Sequence, residues 1–404
     1  MRIAMISEHA SPLAVLGGQD AGGQNTHVAE LATALAEAGH DVRVYTRRDD
    51  PTLAPAVPVR PGVTVAHVPA GPAVPVAKDE LLPHMAEFSR WLTREWGEGW
   101  RPDVVHAHFW MSGLAGITAG RRRGVPVVLT YHALGTVKRR HQGAQDTSPR
   151  GRIDYERALG RAVDRVIVQS RDEVRELALL GVPRSQLTVI PSGVNLAAFA
   201  PTGAAAPREP DRPRLLTVGR LVERKGFGEV VEAMRLVPDA ECLIIGGPPA
   251  EGLAADPQAR RLTELIHRHG LADRVRLIGA VPRERMPYWY RSADLLVAAP
   301  WYEPFGLTPL EAMACGVPVV GTAVGGLTDT VVPGLTGDLV PPRDPAALGR
   351  AVAGLLADPV RRYAYATAAL DRARTRYSWQ RAADQLGEVY AAVGRVREPS
   401  RVGA

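Results

Sequence analysis

The sequence predicts an α/β protein built from two doubly wound, Rossmann-like domains that face each other across a cleft. Three observations carry that expectation. Short apolar runs alternate with helical stretches through both halves, the pattern of parallel strands covered by helices. The alternation lapses over residues 192–213, where proline, glycine and alanine collect as in a linker. The chain has 404 residues, more than one ordinary core takes. The expected bounds are 1–195 for the first domain, 196–213 for the linker and 214–377 for the second domain. A helix over 378–395 is expected to cross back to the first.

In the first half the apolar pattern places strands at 3–6, 42–45, 63–68, 104–107, 127–130, 166–168 and 187–190. Helices are expected at 24–38, 80–98, 114–123, 155–162 and 172–180. The second half repeats the scheme, with strands at 215–218, 242–245, 275–277, 295–298 and 317–320. Its helices fall at 227–236, 258–269, 283–291, 309–314 and 345–356. The tail over 359–393 reads as helical throughout, and 398–404 reads as disordered.

Composition narrows the class. An apolar share of 46% with 23% charged residues is that of a globular protein, and no apolar run is long enough to span a bilayer. The first residues lack the long apolar region of a signal peptide, so a cytoplasmic location is expected. Cys242 and Cys315 are the only cysteines, which excludes a disulfide framework and an all-cysteine metal site. The net charge of +6 comes from scattered arginines, so a solvated surface is expected and no nucleic-acid partner. A peripheral membrane contact is not indicated, and a homodimer is compatible with the sequence. Lysine occurs only at 78, 138 and 225, against 46 arginines, so these three mark places that call for a compact ammonium.

The candidate sites lie where strands end. Glu303-Pro304-Phe305-Gly306-Leu307-Thr308-Pro309-Leu310-Glu311 reads as a tight loop entering a helix, with Thr308 as N-cap, Pro309 first and Glu311 third. A helix N-terminus suits a phosphate, and Gly306 allows close approach of a ligand. The competing structural account makes Thr308 and Glu311 a capping box with no ligand. Arg220 follows the strand at 215–218 and Lys225 opens the next helix; together they form a cationic clamp suited to a diphosphate. Gly325-Gly326 offers another close approach. Gly17-Gly18 and Gly22-Gly23 precede the helix at 24–38, but without the spacing of a dinucleotide fingerprint, which counts against an NAD enzyme. His132 sits just past the strand at 127–130, placed to exchange hydrogen bonds in the cleft. His106 and His108 could suggest a metal pair, but no third ligand follows at useful spacing. No Asp-x-Asp occurs, so a metal held by paired aspartates is disfavoured; no metal and no cofactor is expected.

These pieces, in this order and over essentially the whole chain, resemble retaining glycosyltransferase family 4, whose members have the two-Rossmann-domain GT-B architecture. The resemblance implies a nucleotide-sugar donor, a small-molecule acceptor and metal-independent transfer of a hexosyl group. Arg220 and Lys225 would hold the diphosphate, with Gly219 at the turn and Gly23 closing over the phosphates. Glu303 would bind donor-sugar hydroxyls, and Glu311 would accept both ribose hydroxyls. The backbone of Phe305, Gly306 and Leu307, with Thr308 beside it, would support sugar and phosphates. His132 would contact the sugar near its reacting face. Within the family the N-terminal half looks like the branch of sucrose-phosphate synthases and mycothiol glycosyltransferases, the latter acting on inositol 3-phosphate. Asn25, Lys78 and Arg152 match positions that cradle the acceptor phosphate there, and Lys138 joins them as the remaining lysine. Phe109 and Ala133 depart from that pattern, each replacing a hydroxyl donor, so the expected acceptor is a small polyol or sugar, phosphorylated or uncharged, with the three lysines in candidate cleft segments favouring a phosphorylated one. Uridine-linked glucose or N-acetylglucosamine is the expected donor, with GDP-mannose as the alternative. A 2-epimerase and a non-catalytic nucleotide-sugar binder share the two-domain shape.

Overall fold

The computed structural model describes residues 1–14 and 22–397, except for the side chains at 396 and 397. The Gly17-Gly18 pair and the 398–404 tail lie outside the described residues. The chain divides into two units, one of residues 1–14, 22–191 and 379–397, the other Ser192–Ser378.

The first unit is built on eight strands: β1 (Arg2–Ile6), β2 (Asp41–Arg47), β3 (Ala56–Arg60), β4 (Val63–Val68), β5 (Val104–His108), β6 (Val127–Thr130), β7 (Arg165–Val168) and β8 (Leu187–Val189). They lie in the order β3-β4-β2-β1-β5-β6-β7-β8, parallel except for β3. β3 escaped the apolar pattern because it is an exposed edge strand carrying Pro58, whose missing N–H is tolerated only there. Its helices are α1 (Gly23–Glu37), α2 (Met85–Glu98), α3 (Trp110–Arg123), α4 (Gly135–Gln142), α5 (Arg152–Ala162), α6 (Arg171–Leu179) and, from the C-terminus, α14 (Trp379–Arg397). The helix expected from residue 80 starts only at Met85, after two 3-10 turns, the second holding Pro83. α4 was not anticipated, because its basic, polar sequence has one buried residue and no apolar stripe.

α14 belongs to this unit through its buried face. Trp379, Ala383, Leu386 and Tyr390 share one apolar cluster with Leu31 and Leu35 of α1 and Ile3 and Met5 of β1.

The second unit has six parallel strands: β9 (Arg214–Val218), β10 (Glu241–Ile245), β11 (Val275–Gly279), β12 (Leu295–Ala298), β13 (Val319–Thr322) and β14 (Gly337–Val340). Their order is β11-β10-β9-β12-β13-β14, so the winding reverses between β9 and β12, as it does between β1 and β5 in the first unit. Ligands of such sheets bind beyond the strand C-termini at that reversal. The helices are α7 (Phe227–Ala233), α8 (Pro257–Arg268), α9 (Met286–Tyr290), α10 (Leu307–Ala314), α11 (Leu327–Thr330), α12 (Pro345–Leu356) and α13 (Pro359–Arg376).

Two sequence expectations fail here. Residues 192–213 do not form a free linker: Val194 and Phe199 are buried in the second unit's core, and the Val194 N–H donates to the Tyr377 carbonyl at 2.7 Å. The tail is not one helix, since α13 ends at Tyr377, whose φ of −128° breaks the helix before α14 begins. α13 in turn holds α10 in place, with Ala369 and Ala373 packed in one cluster with Leu310 and Ala314.

Leu386 is 2% exposed beneath α14. Leu386→Ala should cost about 2–5 kcal/mol and lower the melting temperature by roughly 5 °C or more, read by thermal unfolding. An unchanged melt would mean that α14 contributes little to its unit.

Candidate functional site

In the second unit the site grows from the two strands at the reversal. β9 ends at Gly219, and the chain turns through Arg220 into a 3-10 turn, Glu223–Lys225, before α7. Lys225 therefore precedes the helix rather than opening it. Gly226 separates the two at φ +72°, and a Cβ there would lie 1.8 Å from the Ala299 carbonyl oxygen, so only glycine lets this turn press against the end of β12. The Trp301 N–H, donating to the Arg224 carbonyl at 2.8 Å, ties the two loops together. On that platform the Lys225 ammonium meets the Glu303 carboxylate directly, both side chains mostly buried.

Charge follows from that contact. Burial works to raise the Glu303 pKa, but Lys225, then Arg224 and Arg220, outweigh it and hold the carboxyl below its usual range. Burial also pulls the Lys225 ammonium down, against the support of Glu303. Lys225, Glu303 and Thr308 line one small, open pocket, with Thr217, Pro309 and Leu327 among its walls. The Glu303 carbonyl accepts the Gly326 N–H at 2.9 Å, so the two loops stack backbone on backbone.

The entry to α10 differs from expectation. The N-cap is Gly306, at φ +92°, and Leu307 is the first helical residue. Thr308 therefore does not cap, Pro309 sits third, where its missing N–H costs nothing, and Glu311 lies beyond the first turn. A left-handed glycine starts the helix two residues early. The capping-box account of Glu311 fails with it: its buried carboxylate accepts from Arg283 Nη1 at 2.6 Å and from Tyr290 Oη at 2.9 Å. Arg283 and Tyr290 escaped sequence reasoning because their partner is 28 and 21 residues away. Phe305 is buried in the core of its unit.

The first unit holds the other candidates. Gly23 is the first residue of α1, and Asn25 Oδ1 accepts the Gly22 N–H at 3.0 Å while its amide donates to the Ser11 carbonyl at 3.0 Å. Asn25 is thus committed to fastening the loop before α1. β5 and β6 each end in a non-glycine residue of positive φ, Phe109 at 85° and His132 at 60°. Such strain at adjacent strand ends is typical of functional positions. Phe109 joins Lys78, Ala133, Lys138 and Arg152 in one neighbourhood: its ring centroid is 5.4 Å from Lys78 Nζ and 5.1 Å from the Arg152 guanidinium, which donates to the Ala133 carbonyl at 2.8 Å. Lys138 pairs with Asp79, the residue after Lys78, at 3.0 Å.

His132 belongs to a cluster of four imidazoles. His108 Nδ1 and His132 Nε2 are 2.9 Å apart, and His106 bonds Tyr390 Oη at 2.6 Å and Thr130 Oγ1 at 2.9 Å. Gln169 bonds the His132 side chain and reaches His27 Nδ1 at 3.1 Å. His108 Nε2 is buried without a partner among the described residues. A bare lone pair there is cheaper than a bare N–H, so His108 carries its proton on Nδ1 and donates it to His132. His27, His108 and His132 do supply three potential ligand nitrogens within 4.8 Å of one another, a third partner the sequence spacing concealed because His27 lies on α1. The 2.9 Å contact is a hydrogen bond between two of them, which an ion would have to part.

Burial, with the neighbouring imidazoles second, pushes all four histidines down: His106 and His132 to about 3, His27 and His108 well below the ordinary value. The cluster is therefore neutral at pH 7.

Comparison with known proteins followed these features across the chain. Residues 21–198 match the family model described as Glycosyltransferase Family 4, and residues 204–372 match Glycosyl transferases group 1. A D-inositol 3-phosphate glycosyltransferase of Xylanimonas cellulosilytica is 38% identical over 99% of this chain and 98% of its own. One from Thermobispora bispora is also 38% identical, over 100% and 97%. Among solved structures, the sucrose-phosphate synthase of Thermosynechococcus elongatus superposes with a TM-score of 0.89 at 33% identity, covering 98% of this chain and 99% of that one.

The histidine cluster sets an acid limit. An unfolded chain protonates its histidines near pH 6.5 while the native cluster does not, so this stability is present above that pH and lost as pH falls towards 3. Each buried histidine removes about 1.4 kcal/mol per pH unit in that window. Melting temperature should drop steeply between pH 6.5 and 5; a flat profile there would contradict a neutral buried cluster.

Proposed function

This chain belongs to glycosyltransferase family 4, and from that premise we propose that it is a retaining hexosyltransferase. It moves the sugar of a nucleoside-diphosphate sugar, uridine-linked glucose or N-acetylglucosamine, to a hydroxyl of a small polyol or sugar. The observation that carries this assignment is the Lys225–Glu303 contact at the strand reversal. It puts a cation suited to a diphosphate beside a carboxylate suited to sugar hydroxyls.

In the proposed reaction the bond from the sugar's C1 to the diphosphate oxygen breaks with both electrons leaving on the phosphate. Lys225 and Arg220 meet that growing charge, and charge stabilisation of this kind is usually the largest catalytic effect. The acceptor oxygen bonds to C1 on the same face, and its proton passes to the departing phosphate oxygen. No protein base is required. That agrees with the neutral, hydrogen-bonded imidazole of His132, whose part is to position the sugar. Glu303 holds donor-sugar hydroxyls and Glu311 the ribose, whose hydroxyls share the lone pairs left over by Arg283 and Tyr290. Phe305, Gly306 and Leu307 contribute backbone, and Gly23 closes on the phosphates.

Slow hydrolysis of UDP-glucose, UDP-N-acetylglucosamine and GDP-mannose, followed by nucleotide release, tests the donor. A uridine donor should be turned over fastest, and binding or turnover of none would refute the assignment. Lys225→Ala should lower kcat by roughly 10²–10³ with the fold intact. A Glu303→Ala variant at the wild-type transfer rate would remove that carboxylate from the site.

A further inference from the structure

The charged groups around Phe109 are engaged within the protein. Arg152 is 1% exposed and donates through Nε to Glu156 at 2.8 Å and through Nη1 to Ser148 Oγ at 3.1 Å. Lys138 lies between Asp79 at 3.0 Å and Asp146 at 3.2 Å, and also donates to Ser148 Oγ at 3.0 Å. Lys78 faces the Phe109 ring beside Asp79 in the chain. Lys138, Arg139 and Arg152 thus each meet a carboxylate, Arg139 reaching Asp146 at 3.9 Å.

Asp79 and Asp146 stay charged where a phosphate would need them absent, while burial raises the Glu156 carboxyl against the pull of Arg152. Burial works to raise Asp79 and Asp146, but hydrogen bonds from Thr147 and Ser148 together with Lys138 hold both below the usual range. The seat that fits an anion best is already taken. The first N–H of α4, at Gly135, donates to the two Glu156 oxygens at 2.9 and 3.1 Å. Phe109 and Ala133, which complete the neighbourhood, have no side-chain donor to offer.

Taking this cluster as the acceptor seat of the transferase proposed above, we infer that it selects an uncharged polyol or sugar and does not recognise a phosphate ester. A phosphate monoester brings a charge of about −1.5 to −2 at pH 7 into a site whose cations already face carboxylates, and its lost hydration goes unmatched. Neutral hydroxyls suit the same site, since each can donate to a carboxylate and accept from an ammonium or guanidinium. In this respect the chain parts from the phosphorylated acceptor in its relatives' names.

The test compares matched pairs with the full-length protein: myo-inositol and inositol 3-phosphate, fructose and fructose 6-phosphate, glucose and glucose 6-phosphate. Transfer is followed from UDP-glucose and UDP-N-acetylglucosamine, and binding to the UDP-saturated protein by calorimetry. In each pair that reacts, kcat/KM should favour the uncharged member by about tenfold or more. Calorimetry should find no phosphate ester binding more tightly than its uncharged twin. Asp146→Asn, and separately Asp79→Asn, should shift the ratio by about tenfold towards the ester, because each releases Lys138 from one carboxylate. A phosphate ester that reacts faster or binds more tightly than its twin in the wild-type protein overturns the inference. A protein that neither binds nor turns over any nucleotide-sugar condemns the transferase assignment instead.

Discussion

One contact organises the second unit: the mostly buried ion pair of Lys225 and Glu303. Two charges withdrawn from water are unfavourable unless they meet closely, and each here is what keeps the other ionised. Their meeting depends on features from β9 to α13. The winding reverses between β9 and β12, so their C-terminal loops are neighbours. Gly226 lets one loop touch the other, Trp301 fastens them, and Gly326 supports Glu303 from below. α10, started by Gly306 and held by α13, closes the pocket with Thr308. In the proposed reaction a diphosphate would offer Lys225 a second anion and hydroxyls would offer Glu303 new donors, so both charges would stay matched when the donor enters.

The first unit solves a different problem with different chemistry. Its strand ends carry neutral imidazoles joined by hydrogen bonds, and burial keeps them neutral. The link through His106 to Tyr390 means that α14 supports the strand ends as well as covering the sheet. A fixed, uncharged His132 on a strained backbone is suited to positioning and unsuited to proton transfer at neutral pH. The charged groups nearby, around Phe109, are engaged with one another within the protein.

Much of this was legible in the sequence, and the failures have physical causes. Buried parallel strands announce themselves, so 63–68, 127–130 and 295–298 were placed to the residue. Exposed edges do not, as β3 is nearly all exposed, and β14 escaped because Gly337 and Asp338 leave it only two apolar residues. Arg220, Lys225 and Glu303 could be singled out because each lies in the loop that follows a recognisable strand. Thr308 misled, since a good capping residue lost to a glycine two positions earlier whose positive φ starts the helix. Long-range partners were invisible. Nothing near Glu311 names Arg283 or Tyr290, and nothing near His132 names His27. Glu156 is the exception, four residues after Arg152 on one helix face, where an ion pair could have been read from spacing alone.

The central claim is that Lys225 holds the diphosphate while Glu303 holds the sugar. Calorimetry on Glu303→Gln, comparing UDP with UDP-glucose, separates the two roles. UDP should bind the variant at least as tightly as the wild type, because the ammonium has lost its internal partner, while the affinity that the glucose adds should disappear. Equal weakening of UDP and UDP-glucose would contradict the division of labour and make the ion pair a structural brace.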